Sequence, residues 1–220
     1  MSRPHAASRG FTLIELLVAI AVMALMAILS WRGLDGMHRA QTQTQARADE
    51  VLVWQAGLAQ WKADLDALIE VPQIKSLEWD GRVLRLTRRG IAAAGDGLRV
   101  VAWTRRADAG GSWLRWQSPA LATRDDWNRA WVQAERWGQN PGDEEKKREV
   151  AILPLEDWQL FYFRSNAWSN PLSSDGTTAT PGQTTLPEGI RSVLTLAPGQ
   201  AFSGRLTLDW VRPTVGGGKS

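Results

Sequence analysis

Cysteine is absent from this chain of 220 residues, histidine occurs twice and tyrosine once. The lack of cysteine excludes disulfide bonds, cysteine zinc sites and thiol nucleophiles. Both histidines, His5 and His38, lie within the first forty residues, so a domain beyond residue 70 has no imidazole for catalysis or metal binding. These absences disfavour most classes of hydrolase and metalloenzyme.

The chain also has little excess of charge of either sign, because its 26 basic side chains nearly balance its 23 acidic ones, for a formal net charge of +3. A nucleic-acid-binding protein typically carries a basic stripe on one face, and so small an excess gives no support for one. The sequence therefore predicts no nucleic-acid partner. Tryptophan is the residue in excess, with 13 copies, and the length fits one compact domain with an appendage.

The chain begins with a polar, basic segment, residues 1–10, and then stays apolar over residues 11–31. At about 1.5 Å per helical residue, this run covers roughly 30 Å, the thickness of the hydrocarbon core of a bilayer. A secretory signal peptide would be shorter and would end in a small-residue cleavage site. Ala24 and Ala27 imitate such a site, but apolar residues follow them. We therefore predict a retained membrane span.

Glu15 is the only charged residue in this apolar run. A carboxylate within a membrane-spanning helix costs about 2.5 to 3.5 kcal/mol at the centre and less near an end, so it suggests a function with a partner. The alternative is that Glu15, near the start of the span, reaches the headgroup region. Position alone leaves both readings open.

Residues 9–15, with the sequence RGFTLIE, follow a basic leader and open a long apolar helix. This combination closely resembles the prepilin N-terminal signature of type IV pilins and type II secretion pseudopilins. The resemblance implies that a prepilin peptidase cleaves between Gly10 and Phe11, and that the new terminus, Phe11, is N-methylated. Removal of ten residues leaves 220 − 10 = 210. The resemblance also implies that Glu15 pairs with the terminal amine of a neighbouring subunit, where a paired charge is tolerated.

The helix is predicted to continue beyond the membrane to Glu70, because residues 40–70 lack proline and Pro72 then stops the helix. His38 reads as a surface residue of this stretch. Six apolar residues recur at helical spacing and predict a helix laid on a sheet; they are Val51, Trp54, Leu58, Trp61, Leu65 and Leu68.

Short strands are predicted after Pro72, with a turn at Asp80-Gly81 and a helix that starts at Thr123. We predict a charged solvated loop over residues 139–149 and a mobile stretch over residues 165–189. The strand predictions cover residues 77–88, 98–105, 112–117, 149–164, 190–197 and 204–211. The fold class is α+β, and the pilin resemblance implies a long N-terminal helix packed on antiparallel sheets.

A calcium site is one role that acidic residues of the loops could have, as in some pseudopilins. Asp143, Glu144 and Asp175 carry suitable oxygens, but their spacing does not match a calcium-binding loop. We predict no metal site.

Within the pilin-like family, the chain looks most like minor pseudopilins of the J type. The similar segments are residues 31–34, 84–90, 113–116 and 186–190. This resemblance implies a structural protein of the pseudopilus tip, which initiates pseudopilus assembly for export of folded proteins across the outer membrane. The implied partners are minor pseudopilins of the I and K types, other pseudopilins, the prepilin peptidase and the inner membrane.

The expected organisation is a single-pass inner-membrane protein whose C-terminal domain is periplasmic and enters the pseudopilus. Arg3 and Arg9 favour a cytoplasmic leader, but Arg32 and Arg39 flank the far side, so the placement rests mainly on the resemblance. The expected parts are a cleaved leader (1–10), a transmembrane half-helix (11–31), an amphipathic half-helix (32–71), a β-rich domain (72–213) and a tail (214–220).

Two other functions compete with this interpretation. A minor pilin of a type IV pilus or DNA-uptake machine shares the N-terminal signature, although many such pilins carry a C-terminal disulfide that this chain lacks. A membrane-tethered carbohydrate-active protein could use tryptophan platforms and a carboxylate pair. However, Trp54 and Trp61 share one helical face and Trp127 and Trp131 another, which favours packing. We predict no enzymatic activity, no catalytic residues and no cofactor.

Overall fold

The computed structural model describes residues 11–90, 97–107, 111–173, 186–200 and 202–213. The chain divides into two compact units, Met1–Asp49 and Glu50–Ser220, and helix α1 contributes to both. The described elements are α1 (Leu13–Asp66), β1 (Leu77–Trp79), β2 (Val83–Arg89), β3 (Leu98–Arg106), β4 (Ser112–Gln117), α2 (Arg124–Gln139), α3 (Asp143–Lys146), β5 (Glu149–Pro154), β6 (Asp157–Arg164), β7 (Ala167–Ser169), β8 (Gly189–Leu196) and β9 (Gly204–Val211).

The first unit consists, in its described part, of the N-terminal portion of α1. Every described side chain from Phe11 to Asp49 is exposed, including the whole apolar run. By length and composition, α1 contains a segment able to cross a membrane. An apolar helix with no protein around it needs another apolar environment, which agrees with the predicted membrane span.

The second unit contains two antiparallel sheets, and the C-terminal part of α1 packs on both. The strand order is β1-β2-β3-β4-β5 in one sheet and β7-β6-β8-β9 in the other. The turn between β1 and β2 is the predicted one, since the Asp80 carboxylate accepts hydrogen bonds from the backbone N–H groups of Arg82 and Val83. This architecture confirms the predicted fold class, a long N-terminal helix packed on antiparallel sheets.

Tryptophan dominates the interface between α1 and the sheets. The Trp61 ring lies 5.3 Å from Trp103, 5.2 Å from Trp113 and 5.9 Å from Trp158, measured between ring centroids. Trp103 and Trp113 belong to the five-stranded sheet and Trp158 to the four-stranded sheet. Aromatic pairs at these distances add about 0.5 to 1.5 kcal/mol each to the burial of their surface. One helical side chain therefore joins both sheets.

The predicted helical face is confirmed at Trp54, Trp61 and Leu65, which are buried, and at Leu58, which packs against the same core. The predicted helix end at Glu70 is wrong, because α1 ends at Asp66. The chain that follows joins the sheet instead. Its backbone forms two hydrogen bonds with β2. The Ile69 N–H donates to the Thr87 carbonyl at 3.2 Å, and the Arg89 N–H donates to the Ala67 carbonyl at 3.0 Å. Strand β2 thus takes the backbone groups that a longer helix would have used.

Helix α2 covers the opposite face of the five-stranded sheet. It begins as predicted at Thr123, which forms a capping box with Asp126, and its buried face includes Trp127 and Trp131. Helix and sheet approach so closely at Gly138 that an added Cβ would lie 1.8 Å from Val83 Cγ2. The five-stranded sheet is therefore buried on both faces.

An ion-pair cluster ties α2 to this sheet. The Arg85 guanidinium is 2.9 Å from Glu78 and 2.7 Å from Glu135 of α2, and it lies over the Trp131 ring at 5.1 Å. Burial alone would raise the pKa of Glu78, but its contacts with Lys75 and Arg85 outweigh burial and lower that pKa. A carboxylate with a lowered pKa stabilises the fold above its ordinary pKa, and this contribution is lost as the pH falls.

Asp64 of α1 is fully buried and forms the most connected polar site of the core. Arg88 of β2 contacts one carboxylate oxygen, and Arg115 of β4 binds both oxygens, at 2.7 and 2.9 Å. Trp103 of β3 donates its indole N–H to Oδ2 at 2.9 Å, and Gln60 donates to Oδ1 at 3.0 Å. One helical carboxylate is thereby bound to three adjacent strands.

Two loop predictions need correction. Residues 139–149 are not simply a solvated loop, because α3 forms there and Glu145 is only 8% exposed, with Gln133 Nε2 at 3.4 Å from its carboxylate. The stretch 165–189 includes β7, which pairs with β6 across Ser165-Asn166. Both turn residues have positive φ, as a tight hairpin turn requires. Residues 174–185 of that stretch, and the hairpin tip at 108–110, lie outside the described residues.

We expect Asp64→Asn to lower the free energy of unfolding by about 3 kcal/mol or more. The change leaves the buried Arg88 guanidinium and the partly buried Arg115 guanidinium without their counter-charge, and uncompensated buried charge is costly. Denaturation of the full chain in detergent, followed by the near-ultraviolet circular dichroism of its tryptophans, measures this loss.

The matched control for this prediction is Asp49→Asn, an exposed aspartate of the same helix, which should change the free energy by less than about 0.5 kcal/mol. Equal stability of Asp64→Asn and the native chain would show that the cluster does not hold the helix to the sheet.

Candidate functional site

The candidate site lies at the N-terminal end of α1, where Thr12 precedes the first helical residue. The Glu15 carboxylate accepts hydrogen bonds from the backbone N–H and the hydroxyl of Thr12, both at 3.0 Å. The Thr12 hydroxyl in turn accepts the Glu15 backbone N–H at 3.3 Å. This is a capping box, in which the side chains at both ends of the first turn satisfy each other's backbone donors.

The capping box holds the carboxylate beside the helix terminus. Glu15 is four residues from Phe11, so helical rise places it about 6 Å along the axis from the start of the apolar run. The N-terminal end of a helix also carries partial positive charge, which favours a carboxylate at this position. The only charge of the apolar run is therefore partly compensated within its own first turn.

The structure places two of the three predicted site residues. Phe11 is 78% exposed and Glu15 is also exposed, whereas Gly10 lies outside the described residues. Phe11 and Glu15 sit on one short segment at the end of a helix rather than in a pocket. Such a site suits recognition by another protein or by the membrane.

Metal binding has no support from clustered ligands in the part of the chain that is described, where no group of three or more His, Cys, Asp or Glu residues could hold an ion. Glu144 pairs with Lys147 at 2.5 Å, beside Asp143 in α3, and Asp175 lies outside the described residues. The absence of a metal site and of catalytic residues stays a prediction.

Most of the tryptophans serve packing rather than an open binding platform, since ten of the 13 are buried. Of the other three, Trp79 packs against Trp158, and Trp168 lies between Phe163 and the Arg191 guanidinium. The buried ten are Trp54, Trp61, Trp103, Trp113, Trp116, Trp127, Trp131, Trp137, Trp158 and Trp210. This distribution weakens the carbohydrate-binding alternative.

Trp31 is the exception among the tryptophans, with 75% of its surface exposed, and sequence reasoning assigned it no role. It closes the apolar run, and the exposed Arg32 follows it. The signal was available in the sequence, as an aromatic residue next to a cation at the end of a span. Asp64 was also missed, because nothing local marks its partners.

Comparison with known proteins gives a motif match in the sequence and structural likenesses among solved chains. The prokaryotic N-terminal methylation motif matches residues 5–31. A search of curated proteins finds no match. Among solved structures, a chain of the GspK-GspI-GspJ complex from the enterotoxigenic Escherichia coli Type 2 Secretion System is similar at 13% identity and a TM-score of 0.48, over 74% of this chain and 96% of that chain. The chain thus carries a prokaryotic N-terminal methylation motif at the start of a long apolar helix.

Proposed function

We propose that this protein is a minor pseudopilin of a type II secretion system, a structural subunit of the pseudopilus tip that helps to initiate assembly. The observation that carries the proposal is the methylation motif at residues 5–31, which leads into an exposed apolar helix long enough to cross a membrane. In this proposal the helix anchors the protein in the inner membrane and the domain that follows lies in the periplasm.

Processing is the first step that the proposal requires. Cleavage between Gly10 and Phe11 removes the basic leader, and methylation then modifies the amine of Phe11. The exposed Phe11 side chain and the unburied first turn of α1 support access by a membrane-embedded peptidase. The new amine would lie one residue before Thr12 and its capping box.

Glu15 supplies the proposed contact between subunits. In the described part of this single chain, its carboxylate has Thr12 as hydrogen-bond partner and forms no ion pair. A neighbouring subunit's terminal amine would provide the missing cation. Two opposite charges 4 Å apart gain about 4 kcal/mol at an effective dielectric constant of about 20, which is far more than in water.

The assignment to the J type rests on sequence resemblance in four segments, of which residues 31–34 belong to the first unit and the other three to the second. Residues 84–90 fall largely on β2, residues 113–116 on β4, and residues 186–190 lead into β8. These strands contribute to the packed core. A packing module of this kind fits a subunit that works through its surfaces, with I-type and K-type pseudopilins as partners.

Co-expression with a prepilin peptidase is expected to remove residues 1–10 and add one methyl group to the amine of Phe11. Gly10→Leu should abolish cleavage, because the peptidase must accommodate the residue before the cut. Mass spectrometry of the purified chain measures both changes.

Ala27→Leu is the control for processing, because it destroys the small-residue pattern of an ordinary secretory cleavage site and should leave the cut unchanged. Cleavage of the native chain after Ala27 instead of Gly10, with loss of cleavage in Ala27→Leu, would contradict the proposal.

We expect the tagged full chain, co-expressed with I-type and K-type pseudopilins, to purify from detergent as a ternary complex. Shape-matched contacts between folded domains should keep the three chains together through size-exclusion chromatography. Recovery of the chain without the I-type and K-type pseudopilins would overturn the J assignment.

Glu15→Ala should leave cleavage intact but reduce recovery of partner pseudopilins by about tenfold or more, because the ion pair is lost. Quantitative immunoblotting of the purified complex measures the change. Glu15→Gln is the informative comparison, since glutamine still forms a capping box but carries no charge. Recovery with Glu15→Gln at the native level would show that the helix cap, and not the charge, supports assembly.

A further inference from the structure

The far end of the apolar run carries an exposed pair of residues that the proposed assembly function leaves without a role. Trp31 is 75% exposed, although every other tryptophan is buried or packed against a neighbouring side chain. Arg32, the next residue, is also exposed. Leu34 and Met37 extend the exposed apolar surface for two further turns.

Helical rise places this pair at a defined depth if the apolar run crosses a membrane. The hydrocarbon core is about 30 Å thick, and the headgroup layers bring the total to about 40 to 45 Å, so each layer adds about 5 to 8 Å. At about 1.5 Å per residue, the run over residues 11–31 spans the core, and the next three to five residues or so lie in the headgroup layer. Trp31 then sits at the boundary and Arg32 just outside it.

The charges of this segment single out Arg32. Arg39 pairs with Asp35 at 2.6 Å, so the two charges compensate each other. In the part of the chain that is described, the Arg32 side chain forms no ion pair or hydrogen bond. A cation at this position also runs against the general preference for positive charge on the cytoplasmic side. A counter-charge outside the chain would account for it.

We propose that Trp31 and Arg32 form an interfacial anchor that binds the headgroup layer of the leaflet farther from the N-terminus. Arg32 pairs with lipid phosphate, and the Trp31 ring lies at the boundary between headgroups and hydrocarbon. Both residue types suit this location, because indole rings favour membrane interfaces and guanidinium binds phosphate through two N–H groups. The inference rests on the membrane span of the proposed function.

The anchor has a consequence for the opposite end of the helix. Glu15 and Arg32 are seventeen residues apart on one continuous helix, which corresponds to about 26 Å along its axis. The helix cannot move inward at one end without moving outward at the other. An ion pair between Arg32 and lipid phosphate therefore also determines the depth of the Glu15 carboxylate in the membrane.

The absence of cysteine makes a direct test possible, because a single introduced cysteine can carry a spin label. The full chain with Leu34→Cys is reconstituted in vesicles of phosphatidylglycerol and phosphatidylcholine, and in vesicles of phosphatidylcholine alone. Collision of the label with oxygen and with a water-soluble nickel chelate reports its depth. The same measurement with Met23→Cys reports whether the span is in the hydrocarbon.

We expect Arg32→Ala to move the label at position 34 toward the hydrocarbon by about 3 Å, two residues of helical rise. Loss of the cation lets the labelled position 34 follow the apolar run into the membrane, and Glu15 moves toward water at the other side. Trp31→Ala should give a smaller shift, and Arg32→Lys should restore most of the native depth. The Arg32 effect should be larger in vesicles that contain phosphatidylglycerol, because an anionic surface attracts the cation more strongly.

Arg39→Ala is the matched control, because Arg39 is exposed on the same segment but already paired with Asp35, and it should not shift the label. An immersed label at position 23 together with no effect of Arg32→Ala would overturn the anchor and leave the span standing. A label at position 23 exposed to water would overturn both. Broadening of the position-34 spectrum that grows with the protein-to-lipid ratio would identify a second copy of the chain as the partner and also overturn the anchor.

Discussion

The buried carboxylate of Asp64 is the contact on which the arrangement of the second unit depends. Arg88 and Arg115 reach it from β2 and β4, and the Trp103 indole reaches it from β3. Buried charges are tolerated when they are paired and hydrogen bonded. Removing one partner strongly lowers the free energy of unfolding, because it leaves the other charge buried and uncompensated. A shift of α1 by one residue would rotate Asp64 by about 100° and leave two guanidinium groups unpaired. The cluster therefore selects one register of the helix on the sheet.

Tryptophan supplies the bulk of the packing around this polar centre. On one face of the five-stranded sheet, Trp61 of α1 meets rings from both sheets, and on the other face α2 adds a second aromatic cluster. Several indole N–H groups find acceptors inside the fold, such as Trp158 with Ser192 and Trp137 with Glu149, both at 2.7 Å. Large packed rings give a dense core to a chain that cannot form disulfide bonds. The second unit is therefore packed around aromatic side chains on both faces of its five-stranded sheet.

The proposed functions of the helix belong to the first unit and lie at the two ends of its apolar run, residues 11–31. Near the N-terminus, the capping box holds the Glu15 carboxylate in its own first turn until a neighbouring amine can pair with it. At the far end of the apolar run, the proposed anchor of Trp31 and Arg32 binds the headgroup layer. Both proposed contacts follow from the same constraint, because polar groups within or beside a bilayer need a partner. The fixed length of the helix then makes the depth of one end determine the depth of the other.

The sequence by itself determined the features that depend on close neighbours along the chain. These include the apolar run, the methylation motif, the Thr123 cap, the Asp80 turn and the helical face of Trp54 and Trp61, each of which is specified within a few residues. The tertiary structure decided the rest. Arg88 and Arg115 lie 24 and 51 positions from Asp64, so no local pattern links them. The end of α1 at Asp66 and the burial of Glu145 likewise depend on which distant backbone or side chain is close by. Periodicity, caps and turns arise from contacts within about four residues, whereas the pairing of distant groups exists only once the sheets have formed.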